Sequence, residues 1–149
     1  MDEIDRAILR ELQRDARRSL SEISQRVNLS LPAVSERLRK LERAQVIKQY
    51  TAILNPGKFG KELLCFCFLV LQNKTQEGMD ELFRFVRDAD DILDCHCVTG
   101  HYEYMLKIHT RSTESLEQLL SDLRAKTTAK NTSTFIVLST AKESHSVLP

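Results

Sequence analysis

The stretch VNLSLPAVSERLRKLE, Val27 to Glu42, carries a proline at the start of a run with helical apolar spacing. Pro32 lacks an N–H and has a φ already near the helical value, so it suits the first turn of a helix and not its interior. Ser30 is placed to cap that helix with its hydroxyl group. An apolar stripe at i, i+4 and i+7 follows: Val34, Leu38 and Leu41. The spacing predicts a helix that begins at residue 31 or 32, and residues 32–44 are the predicted helix that reads the major groove.

A second short helix is predicted just upstream. Ser19 or Ser21 can cap it, and Ile23 with Val27 forms an i, i+4 apolar contact. Only Asn28, Leu29 and Ser30 separate the two helices, which leaves room for a tight turn alone. Two helices joined by such a turn are typical of a helix-turn-helix, whose second helix fits the major groove of DNA.

The polar side of the helix that begins at residue 31 or 32 is basic, which predicts a double-stranded DNA partner. We expect Ser35, Arg37 and Arg39 to face the groove, and Lys40 and Ser21 to contact phosphates. The predicted DNA-binding set is Ser21, Ser30, Pro32, Ser35, Arg37, Arg39 and Lys40. The alternative is a solvated face on which Arg37 or Lys40 pairs with Glu36 at short helical spacing. Arg37 has a further alternative, which is to brace the domain by pairing with an acidic neighbour.

Charge is divided unevenly along the 149 residues. Residues 1–60 contain 12 Lys and Arg against 8 Asp and Glu, whereas residues 61–149 contain 10 against 13. A connector with Pro56, Gly57 and Gly60 separates the halves. We therefore expect a DNA-binding domain at 1–54, a linker at 55–61 and an assembly or effector domain at 62–149. No apolar run reaches the roughly 20 residues of a membrane span, which predicts a cytoplasmic protein without a membrane partner.

The front domain adds a first helix and a predicted strand. Asp2 can cap a helix whose core face is Ile4, Ile8, Leu9 and Leu12. The segment VIKQYTAIL, Val46 to Leu54, is rich in β-branched and aromatic residues and predicts an extended strand. A helix, a helix-turn-helix and a strand together predict a winged-helix-like DNA-binding domain.

Residues 62–149 alternate strands and helices in the order βαββαβ. The first helix has Met79, Leu82, Phe83 and Val86 at helical spacing, and the second has Leu116, Leu119, Leu120 and Leu123. This order is that of a ferredoxin-like sandwich with helices on one face of the sheet. The predicted fold class is α+β.

The first strand of this domain, within ELLCFCFLVLQ, is apolar on both faces. Helices cover only one face of such a sheet, so the other face needs a cover, and a second copy of the chain is the simplest one. A two-fold homodimer would present its two reading helices to successive major grooves, about 34 Å apart.

Signals for an enzyme or a metal site are weak. Cys65 and Cys67 form one C-x-C pair, and Cys95 and Cys97 form another. Structural zinc sites favour C-x₂₋₄-C on turns, so buried thiols are the preferred interpretation over a metal site. The four histidines, His96, His101, His109 and His145, match no catalytic triad spacing. We expect no catalytic residues, no metal and no cofactor.

The stretch DEIDRAILRELQRDARRSLSEISQRVNLSLPAVSERLRKLERAQVI, followed by a glycine-bearing connector and a domain containing VTGHYEYML, resembles the Lrp/AsnC, or feast/famine, family of prokaryotic transcription regulators. The resemblance implies an N-terminal DNA-binding domain and a C-terminal domain that dimerises and commonly assembles to octamers. It also implies an amino-acid-like effector bound between dimers.

The resemblance places an effector site at the loop between the second and third strands. By position its residues are Gly100, His101, Tyr102 and Glu103, with Thr132 and Thr134 from the last strand. An acidic group there can pair with an α-ammonium, and N–H groups near Gly100 can hold a carboxylate. The family loop usually reads Gly-Asp-x-Asp, and here His101 and Glu103 replace the two acids. This departure predicts weak or altered amino-acid binding, with a polar turn that binds nothing as the alternative.

Two further functions are compatible with the same motifs. A nucleoid-type protein would wrap DNA through the same basic helix with little sequence preference. Sirohaem decarboxylases resemble this family but have lost DNA binding, and the retained Arg37, Arg39 and Lys40 argue against that tetrapyrrole-modifying function.

Overall fold

A computed structural model describes residues 1–144 and Val147. The predicted end of the second domain at Pro149 and the predicted non-catalytic His145 lie outside these residues. Two compact units are present, one built on Met1–Ile53 and the other on Leu54–Ala141.

The first unit contains three helices: α1 (Glu3–Arg14), α2 (Leu20–Val27) and α3 (Leu31–Arg43). Asp2 caps α1 and Ser19 caps α2, each through a reciprocal pair of hydrogen bonds with the residue three positions later. Asn28 adopts a left-handed conformation (φ 53°) that ends α2 and turns the chain into α3. The buried apolar side chains that hold the helices together are Ile8, Ile23, Val34 and Leu38.

Two local predictions for this unit were wrong. Ser30 occupies the N-cap position of α3, but its side chain makes no capping hydrogen bond, so Pro32 in the first turn is the signal that sets the start. Residues 46–54 form no strand in the described chain. Their β-branched and aromatic side chains suit a strand, but a strand requires a neighbour for its backbone groups, and none pairs with this segment among the described residues.

The second unit is the predicted βαββαβ sandwich, preceded by a short 3₁₀ turn at Pro56–Phe59. Its elements are β1 (Leu63–Leu71), α4 (Gln76–Asp88), β2 (Ile92–Cys97), β3 (Tyr104–Thr110), α5 (Thr113–Lys126) and β4 (Ala129–Ile136). The strands form one antiparallel sheet in the order β2-β3-β1-β4. This arrangement confirms the predicted α+β, ferredoxin-like fold class.

The two faces of β1 differ, as its alternating pattern predicts. Cys65, Cys67, Leu69 and Leu71 are buried and pack against the helices through Leu82, Leu116 and Leu123. The intervening residues, Leu64, Phe66, Phe68 and Val70, are half-buried on the opposite side, which we call the outer face. Of the residues predicted at helical spacing in α4, Phe83 is 42% exposed and lies edge-on to Tyr104. Phe85 packs against the core instead.

None of the helices in the described part of the chain is long and apolar enough to cross a membrane.

Candidate DNA interface and ligand pocket

The polar side of α3 is open to solvent. Val34, Leu38 and Leu41 are buried against the other helices, so the residues on the opposite side point outwards. The predicted DNA-binding residues that are exposed are Ser21, Ser30, Pro32, Ser35, Arg39 and Lys40. Arg43, in the last turn of α3, is exposed as well and was missed because the prediction stopped at Lys40. The sequence signal for Arg43 was its spacing, since it follows Arg39 by one helical turn.

One acidic side chain lies within this basic surface. Glu36 forms an ion pair with Arg39, and its other carboxylate oxygen is 4.0 Å from the Lys40 ammonium. The predicted alternative, a pairing of Lys40 with Glu36, is therefore present together with the exposed basic surface. Exposed pairs of this kind contribute about 0.2–1 kcal/mol each, so DNA can displace them at small cost.

Arg37 has a different position from the other basic residues of α3. Its Nη1 lies 2.7 Å from Oδ2 of Asp2, the N-cap of α1, and 2.7 Å from Oδ1 of Asp5 in the first turn of that helix. The hydrogen bonds to Asp5 and Asp2 raise the pKa of Arg37. Because its guanidinium joins α3 to α1, the structure does not support the prediction that Arg37 faces the groove, and we assign it a bracing role.

A second acidic centre joins the helices behind this surface. Glu11 is buried, and its carboxylate contacts Arg14 at 2.9 Å, Arg26 at 3.4 Å and Arg18 at closer range. These arginines come from the end of α1, the following loop and the end of α2. Glu11 was missed by the sequence analysis because acidic residues on a helix are usually solvated, and the sequence does not show which one is enclosed.

The predicted effector residues divide between the two sides of the sheet. Tyr102 lies 5.7 Å from Phe68 on the outer face, ring centre to ring centre, and His101 lies 5.1 Å from Tyr102. Gly100 turns the loop with a φ of 118°. Glu103 instead accepts a hydrogen bond from the Leu71 N–H (2.9 Å) and forms an ion pair with Lys74. The pKa of Glu103 is lowered by the Lys74 ammonium first and by the Leu71 N–H second.

A cavity of about 190 Å³ adjoins Glu103 and is lined by Leu71, Lys74, Met79, Cys97, Glu103 and Tyr104. It therefore contains one of the six predicted effector residues. Thr132 and Thr134 lie on β4, which is separated from β3 by β1, a distance of about 10 Å across the sheet. Lys74 was missed by the sequence analysis, and the signal for it was a cation in the turn that directly follows β1.

The two C-x-C pairs differ in burial. Cys65 and Cys67 are fully buried on the inner side of β1, and burial raises the pKa of Cys65 to about 11. Cys95 is half-buried and Cys97 is exposed on β2. Within the described residues, no group of three or more His, Cys, Asp or Glu side chains is placed to hold a metal ion.

A helix-turn-helix unit followed by a ferredoxin-like unit defines a two-domain class of DNA-binding regulators. Residues 1–42 match the AsnC-type helix-turn-helix domain, and residues 64–147 match the Lrp/AsnC ligand binding domain. The chain belongs to the Lrp/AsnC family of transcriptional regulators, which confirms the predicted family and function.

Relatives support this assignment over almost the full chain. The chain is 36% identical to the leucine-responsive regulatory protein of Escherichia coli (strain K12) over 146 residues, 97% of this chain and 89% of that protein. The leucine response regulatory protein LrpA of Mycobacterium tuberculosis has a TM-score of 0.86 at 31% identity, with 100% of both chains covered. A transcriptional regulator of Neisseria meningitidis in complex with L-Met has a TM-score of 0.93 at 27% identity, covering 99% of this chain and 96% of that one.

Proposed function

We propose that this regulator binds double-stranded DNA in the cytoplasm as a homodimer or a larger assembly, with α3 in the major groove and without catalytic activity or a cofactor. The observation that carries the proposal is the exposed basic side of α3 opposite its buried apolar stripe. An α-helix with exposed donors fits the major groove, where the base edges are distinguishable.

Within this interface the residues have different tasks. Arg39 and Ser35 are assigned to base edges, because they lie on the groove side of the middle of α3. Phosphate contacts are assigned to Lys40, Arg43 and Ser21. Ser30 and Pro32 place the N-terminal end of α3 near the DNA backbone. Together with a second copy, this surface would cover two half-sites separated by about one helical turn.

Replacing Arg39 with alanine is expected to weaken specific DNA binding by about 1–3 kcal/mol, because a guanine contact is lost. The thermal midpoint should stay within about 2 °C of wild type, since the Arg39 side chain is exposed and its ion pair with Glu36 lies at the surface. Fluorescence anisotropy at one fixed salt concentration, with DNA from the gene's own upstream region, measures the effect.

Arg37→Ala is the matched control for this experiment. It removes the same charge from the same helix, but the α1 brace is broken, so a lower thermal midpoint is expected with little change in base preference. Equal affinity of wild type and Arg39→Ala for the specific site would remove Arg39 from the interface. Equal affinity of wild type for specific and random DNA would instead favour a nucleoid-type wrapping protein.

Assembly is proposed to use the outer face of the sheet. Phe66, Phe68 and Phe135 form a continuous apolar patch there, with Phe68 and Phe135 in edge contact at 5.8 Å. Two such sheets pack face to face at about 10 Å, with side chains from both interdigitating. Further association of dimers to an octamer is part of this proposal.

An amino-acid-like effector is proposed to bind at the Glu103 cavity. Glu103 would hold the ligand's ammonium group, and Lys74, freed from Glu103, would turn to its carboxylate. Gly100, His101, Tyr102, Thr132 and Thr134 would contact the ligand only where a neighbouring subunit completes the site. The Neisseria regulator in complex with L-Met supports an amino acid as the ligand class.

Calorimetric titration with the common amino acids is expected to give weak binding, because the ligand must first displace Lys74 from Glu103. Glu103→Gln should lower the affinity at least about tenfold, since a charge-assisted hydrogen bond is lost. Glu117→Gln, an exposed acid on α5, removes the same charge and should leave the affinity unchanged. Tight binding unaffected by Glu103→Gln would place the ligand in another pocket.

A further inference from the structure

The carboxylate of Glu36 occupies the middle of the surface that faces DNA in the proposed function. It lies one helical turn after Pro32 and one turn before Arg39 and Lys40, on the side of α3 away from the buried stripe. The other acid of this helix, Glu42, accepts a hydrogen bond from the Tyr50 hydroxyl at 2.9 Å. Among the described residues of α3, Glu36 is therefore the acid directed at the groove.

A carboxylate at this position is unfavourable for simple phosphate binding. DNA carries about one negative charge per 1.7 Å of its axis, and an acid within the contact surface opposes the association. Arg39 and Lys40 offset part of this repulsion through their pairs with Glu36. A compensating contact is available in the major groove, where the cytosine N4 amino group donates to Glu or Asp side chains.

The geometry of the pair is suited to reading two bases together. Arg39 uses one Nη2 donor on Glu36, which leaves other donors of its guanidinium for O6 and N7 of guanine. Among the described residues, the nearest cation to the second oxygen of Glu36 is the Lys40 ammonium at 4.0 Å, beyond hydrogen-bond distance, so this oxygen can accept from a base.

We propose that Glu36 is a specificity-determining residue that accepts a hydrogen bond from a cytosine N4 amino group, beside the guanine bound by Arg39. This inference rests on the proposed function. Glu36 then lowers the affinity for unrelated DNA through its charge and restores it only where a cytosine is present. The residue thus discriminates against wrong sequences as well as selecting the right one.

Selection of random DNA by the full-length protein tests the inference, with wild type, Glu36→Gln and Arg39→Ala compared at one salt concentration. Wild type should enrich cytosine at one position of each half-site, by about 5- to 100-fold over other bases. Glu36→Gln should lose this preference and bind random DNA more tightly. Arg39→Ala should lose the neighbouring guanine preference.

Control variants distinguish the effect of removing a negative charge from the loss of the Glu36 hydrogen bond to cytosine. Glu117→Gln removes one negative charge from α5 and should leave the selected motif unchanged. An unaltered motif with Glu36→Gln overturns the inference, as does a change confined to the guanine position, which would show that Glu36 only orients Arg39. Failure of wild type to retain any DNA would instead refute the proposed function, and the inference with it. Thermal unfolding of each variant confirms that all are folded.

Discussion

Phe66→Glu is expected to dissociate the dimer, raising its dissociation constant by about 1,000-fold or more. Phe66 lies on the outer face of β1, between Lys107 on β3 and Phe135 on β4. A two-fold interface places the new carboxylate in the contact twice, and each unpaired charge costs several kcal/mol when it is buried. Sedimentation velocity over a concentration series measures the dissociation constant.

DNA binding should fall together with the dimer. A single subunit contacts one half-site, and losing the link to the second removes an avidity gain of about 100- to 10,000-fold. Phe66→Leu is the matched control, because it keeps the position apolar, and it should remain dimeric. A Phe66→Glu protein that stays dimeric and folded would show that the outer face is not the interface.

The structure also determines which residue of β1 suits this test. The sequence shows that Phe66 and Cys67 point to opposite faces but not which of them points to the partner. Cys67 is fully buried under the helices, so Cys67→Glu would unfold the second unit and reveal nothing about assembly.

Features with a strong local cause were predictable from the sequence. The start of α3 was predicted because Pro32 is excluded from a helix interior, and the structure confirms it at Leu31. The division of β1 into two faces follows the two-residue period of a strand, and the burial of Cys65, Cys67, Leu69 and Leu71 on one side confirms that period, although the sequence does not show which side faces the helices. Both are consequences of backbone geometry over a few residues.

A bracing role for Arg37 was foreseen as an alternative, but the partners that distant parts of the chain provide were not predictable. Arg37 resembles Arg39 in the sequence, yet α1 approaches it from 32 residues away and engages its guanidinium with Asp5. Residues 46–54 have the composition of a strand, but a strand forms only where a partner is available. Local composition carries no information about either neighbour.

The candidate effector site shows the same limit. Adjacent residues of the loop diverge, with Tyr102 at the outer face and Glu103 turned to Lys74, because the chain is bent and irregular here and β3 begins only at Tyr104. The family resemblance supplied positions along the chain but not the side of the sheet to which each side chain turns. For the same reason the sequence alone does not show that Lys74 lies beside Glu103.

The largest stability effect is expected for Glu11→Ala, which should lower the free energy of unfolding of the helical unit by about 2–4 kcal/mol. Glu11 is buried, and Arg18, its closest partner, has a side chain only 17% exposed. Removing the carboxylate leaves that guanidinium without its counter-charge, and breaking a buried pair costs about 3–5 kcal/mol when neither group can reach water. Arg14 and Arg26 are more exposed and can turn to solvent, so the expected loss of unfolding free energy is slightly below that of a fully buried pair. Urea unfolding followed by helical circular dichroism measures the loss.

Two variants distinguish the buried charge from helix propensity and from packing. Glu3→Ala removes an acid from the same helix that also pairs with two arginines, Arg6 and Arg10, but Glu3 is exposed, so the loss of stability should be much smaller than for Glu11→Ala. Glu11→Gln keeps the size of the side chain and can still accept hydrogen bonds, so it should fall between wild type and Glu11→Ala. If Glu11→Ala were no more destabilising than Glu3→Ala, the three arginines would be reaching solvent without Glu11. The packing of α1 on α2 would then rest on the apolar cluster that contains Ile8 and Ile23.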